Sequence, residues 1–368
     1  MKNILFIGSL NNGGAENQMS IIARQFQSQG HKVIYLCIDN SSFHLEELRK
    51  SGIDVRYVGH PKIVKLLKLN YFYLAYIIMT ILKREKIDAS ISSLMQQNFA
   101  NCLAAKYSSR KHITIVGIRN AYKNLFESFS GRFYVSYYKH ADFIVSNSDA
   151  ARGMFLDIFP KYASKTTTVY NAVKDIVVKT GYIPKKDSRL HIVIAASYRE
   201  VKNPYGLLNA LKLMDQSERN RIVIDWYGNN VNNSYYDSLK SRIDQEKLNE
   251  VFCLHGATHD IMDRMNEADM VALFSKAEGF PNAICEGMMV EKPIIITEVS
   301  DYKSIVDASN GFVCKWNDAE SIKAALVTAS EVPVADLVKM GKCSKQRAIQ
   351  LFSLTEIYDK WFAMISNN

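Results

Sequence analysis

Met270-Val271-Ala272-Leu273-Phe274, then Glu278-Gly279-Phe280-Pro281-Asn282 with Glu286 behind it, then Pro293-Ile294-Ile295-Ile296-Thr297, is the stretch that decides the fold. The two outer runs are short, apolar and rich in β-branched residues, as buried parallel strands are. The two carboxylates between them therefore belong to a strand–loop–helix turn rather than to a surface helix. Loops at the carboxyl ends of parallel strands are where open α/β sheets bind ligands. Gly279 permits a tight bend and Pro281 suits a first helical turn, which places the helix start near Asn282. Amides left free there would face the loop and make a site for phosphate. Glu286, one turn inside, shares a face with Asn282 and Ala283. Glu278 projects from the loop ahead of them. One carboxylate is then placed to grip a ribose and the other a sugar hydroxyl, with phosphates between. A Glu pair at this spacing arises readily by chance, so the surrounding residues carry the reading and the spacing does not.

Outward from this stretch the same alternation runs through the chain. Strands are expected at residues 4–7, 32–38, 54–58, 89–92, 113–117, 143–146 and 167–170, with helices over 15–29 and 43–51 that stop at Gly30 and Gly52. The pattern restarts with strands at 191–195, 222–227, 251–254, 270–273 and 294–297. Repeated strand–helix order implies parallel sheets covered on both faces. Residues 174–189 carry Gly181, Pro184 and mixed charges with little periodicity, so the linker is placed there. The expected architecture is α/β, with two doubly wound domains facing a central cleft. The first spans residues 1–178 and the second 186–353, with a C-terminal helix over 354–368 packing back on the first.

At 368 residues, 48% hydrophobic and 23% charged, the chain has material for two ordinary globular cores. The first residues form a short apolar run that lacks the length and flanks of a signal peptide. Six cysteines lie scattered, with neither a close pair nor histidines at metal-ligand spacing, which favours a reduced, cytoplasmic chain without structural zinc. Residues 1–180 hold 24 Lys and Arg against 12 Asp and Glu, whereas the remainder holds 22 against 25. A basic first half attracts a nucleic acid, an anionic membrane or a diphosphate-bearing substrate, unless it is only a solvated surface. Nothing in the chain resembles a nucleic-acid module. Residues 61–86 are densely apolar but interrupted by Lys65, Lys68 and Asn70, short of a clean span. They read either as helices packed within the domain or as a basic amphipathic surface on an inner leaflet, and the two are compatible.

Two further loops carry chemistry. Asn11-Asn12-Gly13-Gly14-Ala15-Glu16 joins the first strand to the first helix, with adjacent glycines that let backbone approach a ligand. It is no dinucleotide fingerprint, since no Gly-x-Gly-x-x-Gly is present. Ser197-Tyr198-Arg199-Glu200-Val201-Lys202-Asn203-Pro204 opens the second domain, where Arg199 and Lys202 are suited to neutralising a diphosphate.

Gly13-Gly14-Ala15-Glu16, the Arg199/Lys202 loop, Tyr227-Gly228-Asn229, Leu254-His255-Gly256 and the 278–286 segment occur in the order seen in a large family. The chain resembles the retaining GT-B glycosyltransferases of family four, the group 1 glycosyltransferases, of the bacterial surface-polysaccharide type. The resemblance covers nearly the whole chain and is most specific between about 250 and 300. It implies that Glu286 binds the ribose of a nucleotide sugar. It further implies that Glu278 contacts the donor sugar, with Gly279, Phe280, Pro281 and Asn282 around its hydroxyls. Arg199 and Lys202 would hold the diphosphate, aided by Gly14 and by the amides of Ala283 and Ile284, and the base would lie near Gly256. Glu278, Lys202 and Arg199 are thus the expected catalytic set. The chain departs from the family where Ser197 stands at the usual arginine position, where Asn171-Ala172 replaces Asn-Gly, and where Ile118-Arg119-Asn120 replaces a histidine-bearing pair. Arg119 is open to an acceptor phosphate, the donor sugar or a structural role.

The implied reaction transfers a sugar from a nucleotide sugar, a UDP-hexose or UDP-N-acetylhexosamine, to a lipid-linked or polysaccharide acceptor at the inner face of a membrane. No cofactor is expected beyond that co-substrate, and no metal, since no Asp-x-Asp occurs. The rival readings are a nucleotide-sugar epimerase on the same scaffold and a non-catalytic nucleotide-sugar-binding subunit.

Overall fold

The computed structural model describes residues 1–11, 13–59, 69–119, 123–173, 189–229 and 233–366. The chain divides into two compact units, one of Met1–Ala172 with Leu354–Asn368, the other of Val173–Ser353.

The first unit is built on a seven-stranded parallel sheet. In chain order its strands are β1 (Asn3–Gly8), β2 (Lys32–Cys37), β3 (Asp54–Tyr57), β4 (Ala89–Ser92), β5 (Ile113–Ile118), β6 (Phe143–Ser146) and β7 (Thr166–Thr168), in the spatial order 3-2-1-4-5-6-7. The reversal of order beside β1 is the switch point of a doubly wound sheet. Helix α1 (Gly14–Ser28) ends where Gly30 takes a φ of 81°, and α2 (Leu45–Lys50) ends where Gly52 takes 80°. Both are left-handed positions that glycine adopts without steric cost. Helix α3 (Asn70–Arg84) buries Leu74, Ala75, Ile78, Ile81 and Leu82 under the sheet, so this part of the apolar stretch is core on one face. Residues 61–68 of that stretch and residues 174–188 of the expected linker lie outside the described residues.

Helix α4 (Met95–Tyr107) has no counterpart among the sequence expectations, and the reason is chemical. Its Asn98 and Asn101 are buried, and they bond Ser92, Ser90, the Gly117 carbonyl and the Tyr138 hydroxyl. Polar residues on the buried face erase the apolar period that would reveal the helix.

The second unit holds a six-stranded parallel sheet made of β8 (Leu190–Ala195), β9 (Ile222–Gly228), β10 (Phe252–Gly256), β11 (Met270–Leu273), β12 (Ile294–Thr297) and β13 (Gly311–Cys314), in the order 10-9-8-11-12-13. β13 was not expected: it is a four-residue edge strand with an exposed Val313, too short to show alternation. Helix α5 (Pro204–Leu213) follows β8, and α6 (Asn282–Met289) follows β11. The C-terminal helix α7 (Leu354–Ser366) packs Ile357, Tyr358, Trp361, Met364 and Ile365 into the core of the first unit with Ile4, Phe6 and Phe26.

Candidate functional site

In the second unit the loops after β8 and β11 meet. The turn Glu200–Lys202 closes on Asn203, which holds a left-handed φ of 61° and donates through Nδ2 to the Trp316 carbonyl at 2.8 Å. The Lys276 amide donates to the Val201 carbonyl at 2.8 Å, tying the two loops together through the backbone. Glu200 and Lys276 form an outer ion pair at 2.7 Å. Inside it, Lys202 Nζ lies 2.5 Å from Glu278 Oε1, with side chains only 19% and 11% exposed. Ser275 Oγ donates to the same oxygen at 2.5 Å. A charge pair this sheltered holds its geometry as surface pairs do not.

Past Glu278 the chain turns into α6. Ser300 Oγ donates to the Gly279 carbonyl at 3.0 Å, and Phe280 is buried edge-on against Phe352, with ring centres 5.4 Å apart. Pro281 is the N-cap of α6. The Asn282 amide donates back to the Phe280 carbonyl and the Ile284 amide to the Pro281 carbonyl, each at 3.0 Å. Of the two amides expected to cradle a phosphate, that of Ile284 is thus taken and that of Ala283 has no partner among the described residues, nor has that of Gly279, expected at the sugar hydroxyls. Glu286 lies one turn along, with its carboxyl raised to about 7 because burial strips its water. No hydrogen-bond donor among the described residues holds it. Gly287 next to it is set hard on the sheet: a β-carbon there would lie 2.7 Å from the Val271 side chain. That close approach fixes the depth of Glu286.

Gly256 is the exposed end of β10. Its neighbourhood is held by Tyr198, whose buried hydroxyl lies 2.6 Å from the Trp226 carbonyl and accepts the His255 amide at 2.9 Å. Burial pushes this phenol well above its ordinary value. His255 Nε2 lies 2.7 Å from Asp225 Oδ1 with its ring stacked on Tyr227 at 4.5 Å. Arg199 is exposed and donates through Nε to Ser197 Oγ at 2.9 Å, so it stands apart from the Lys202–Glu278 pair.

Gly14 belongs to the first unit, where it begins α1 with Gly13 as an extended N-cap. The Glu16 carboxylate lies over Gly13 in the space a β-carbon would take, and burial raises its pKa. Ser275, Ser300 and Tyr198 were not read from the sequence as part of the site. Only Ser275 carried a signal, as the first polar residue after an apolar strand.

Each unit is a doubly wound parallel sheet with binding loops at its strand ends, and together they define the GT-B class of glycosyltransferases. HepE of Anabaena, solved in complex with UDP, has this fold with a TM-score of 0.84 at 17% identity, covering 100% of both chains. A glycosyltransferase from Rickettsia africae matches with a TM-score of 0.81 at 18% identity, over 100% of this chain and 98% of that one. The lipopolysaccharide outer core galactosyltransferase WaaB matches with 0.75 at 15%, over 99% of each chain. No curated protein sequence matches the chain. Residues 182–347 match the family described as glycosyl transferases group 1, and residues 12–175 match glycosyltransferase family 4. Both family matches, one on each half of the chain, are to glycosyltransferases.

Proposed function

We propose that the chain is a retaining, metal-independent glycosyltransferase that moves a hexose or N-acetylhexosamine from a UDP-sugar to a lipid-linked or polysaccharide acceptor of a cell-surface glycan. The observation that carries this reading is the sheltered Lys202–Glu278 pair beside the Gly279 and Ala283 amides, with Glu286 one turn along α6, the amides and the Glu286 carboxyl having no hydrogen-bond partner among the described residues. HepE has been crystallised with UDP-glucose and WaaB is a galactosyltransferase, which supports a UDP-hexose donor.

Cleavage of the anomeric bond leaves negative charge on the diphosphate and positive charge on the sugar ring. Lys202 stands where it can shift from Glu278 onto the diphosphate, with the Ala283 amide at the helix N-terminus adding a fixed dipole. The exposed Arg199 has the reach to join it. Glu278, released from Lys202 but still held by Ser275, then orients a sugar hydroxyl. Glu286 accepts the ribose hydroxyls, and these restore the hydrogen bonds its burial removed. In the retaining course the departing phosphate oxygen takes the acceptor's proton on the face that the leaving group vacates. A double displacement would instead need two carboxyl groups about 5–5.5 Å apart across the sugar.

The membrane clause rests on the first unit. Phe72 of α3 and Phe133, both exposed, pack their rings on Phe99 at 5.8 and 5.6 Å, and Tyr76, Tyr107, Leu125 and Phe129 of the same unit are exposed too. Lys106, Lys123, Arg132 and Lys139, close to them in sequence, are exposed as well. Aromatics flanked by cations suit an anionic interface. Among the described residues no helix is long and apolar enough to cross a membrane.

A thermal-shift screen across UDP-, GDP-, ADP- and TDP-sugars tests the donor, and the anomeric proton coupling of the product tests retention. Transfer should survive EDTA. Turnover of the nucleotide sugar without any acceptor would favour the epimerase, and undiminished transfer by both K202A and E278A would remove the site assignment. Vesicles with and without anionic lipid test the surface, where salt-sensitive flotation is expected.

A further inference from the structure

Arg119 stands first after β5, at the carboxyl end of the first unit's sheet. Its Nη1 donates to Asn171 Oδ1 at 3.0 Å, and the guanidinium lies 5.8 Å from the centre of the Trp361 ring. Among the described residues no carboxylate pairs with it, and its buried Nε has no partner. Burial pulls the group down to about 10, so it stays charged at neutral pH. Asn147, first after the neighbouring β6, donates through Nδ2 to the Arg119 carbonyl at 3.4 Å, and its Oδ1 is likewise buried without a partner. Among the described residues, two adjacent strand ends thus carry one unmet donor and one unmet acceptor. Native proteins leave few such atoms unmet, and each one asks for a reason.

The geometry identifies what is missing. With Nη1 taken by Asn171, the free edge of the guanidinium is Nε–Nη2, the edge that receives an oxyanion through two parallel hydrogen bonds. Gly117 leaves Nε room that a side chain would take, since a β-carbon there would lie 3.2 Å from it. A packing strut would need no free fork, and a structural ion pair would have its carboxylate in place.

We propose that Arg119 and Asn147 form an oxyanion-binding site of the first unit. Arg119 holds a phosphate or carboxylate of the ligand by its Nε–Nη2 edge, and Asn147 Oδ1 accepts a hydroxyl of the same ligand. The site stands on this unit alone and does not depend on the donor reading of the other.

Calorimetric titration of inorganic phosphate, pyrophosphate and citrate into the wild-type chain, R119M, R119K and K202A tests it, with citrate separating carboxylate from phosphate. One anion-binding event should persist in K202A and vanish in R119M, and R119K, which keeps the charge but loses the fork, should bind about tenfold more weakly. Without anion, R119M should melt at or above the wild-type temperature, because it removes an uncompensated buried charge. If anion binding is lost only in K202A, or absent altogether, the site does not exist. A lower melting temperature for R119M with unchanged anion binding would show a strut against Trp361 and Asn171 and overturn the proposal, and R119K decides the matter should R119M fail to fold.

Discussion

Lys202 and Arg119 are both cations at the carboxyl ends of parallel strands, one in each unit, yet their charges are kept differently. Lys202 rests 2.5 Å from a carboxylate that Ser275 also holds, so its charge is balanced until something stronger draws it away. Arg119 has an amide oxygen and an indole face for company and no counter-charge among the described residues. A balanced cation can change partners along a reaction, because Glu278 is left with a donor when Lys202 moves. An unbalanced one gains most from a ligand that arrives with its own negative charge. Under the two proposals, movement belongs to the second unit and static recognition to the first.

The sharpest way to break the contrast is to remove the balanced cation. K202A should lower the transfer rate by about 10²–10³, the size expected for losing a group that stabilises developing charge. It should also destabilise the unit by roughly 2 kcal/mol, since Glu278 is left sheltered with only Ser275. A radiolabelled-sugar transfer assay and urea unfolding read the two effects, and a rate within threefold of wild type would deny Lys202 its role. Next in size is G287A. The added carbon meets Val271 at 2.7 Å, which should cost about 1–3 kcal/mol and lift α6 off the sheet. UDP affinity should fall roughly tenfold as Glu286 moves with the helix, while Lys202 and Glu278 stay in place.

A subtler effect concerns Glu286. Its folded pKa, raised to about 7 from an ordinary 4.5, means the folded chain keeps a proton that the unfolded chain releases. Stability should therefore fall as pH rises from 4.5 through 7, and UDP affinity should rise over the upper part of that range as the carboxylate forms for the ribose. In E286Q both slopes should flatten, which differential scanning calorimetry and calorimetric titration between pH 5 and 8 would detect.

These sites differed in how much of them the sequence disclosed. The 278–286 turn was readable because β-branched runs bracket it and Gly-Phe-Pro-Asn permits little but a bend into a helix. The lysine that meets Glu278 was readable as a cation in a strand-end loop. Its pairing was not, because it comes from a loop 76 residues away. Helix α4 hid behind buried asparagines, and β13 behind its length. Arg119 was visible only as a departure from a family pattern. Its orphaned Nε depends on what Gly117, Asn147 and Asn171 leave around it, and no local spacing encodes that. Burial of a polar group is set by neighbours distant in sequence, whereas a strand or a turn announces itself locally.

The smallest expected effect sharpens the contrast inside the first unit, which holds one buried base that can shed its proton and one that cannot. His31 is 7% exposed, takes the Lys2 amide on Nδ1 at 3.1 Å and lies through Nε2 3.1 Å from the Tyr358 hydroxyl of α7. Because Nδ1 accepts, the neutral ring carries its hydrogen on Nε2 and donates it to Tyr358. Burial first, then the N-terminal ammonium and Lys2, lower its pKa from the ordinary 6.5. The unfolded chain therefore binds a proton more readily. The stabilisation is complete above 6.5 and is lost as pH falls through the lower folded value. Protonation would turn Nδ1 from acceptor to donor against the Lys2 amide and loosen the seat of α7, where Phe26 and Phe362 also contact the ring. Hydrogen exchange of residues 354–366 at pH 5 and 7.5 should show faster opening in acid for the wild type and a smaller difference for H31Q. Equal acid sensitivity in H31Q would assign the effect to another group. Arg119, beside Trp361 on the same helix, is charged across that whole range and can be answered only by an anion.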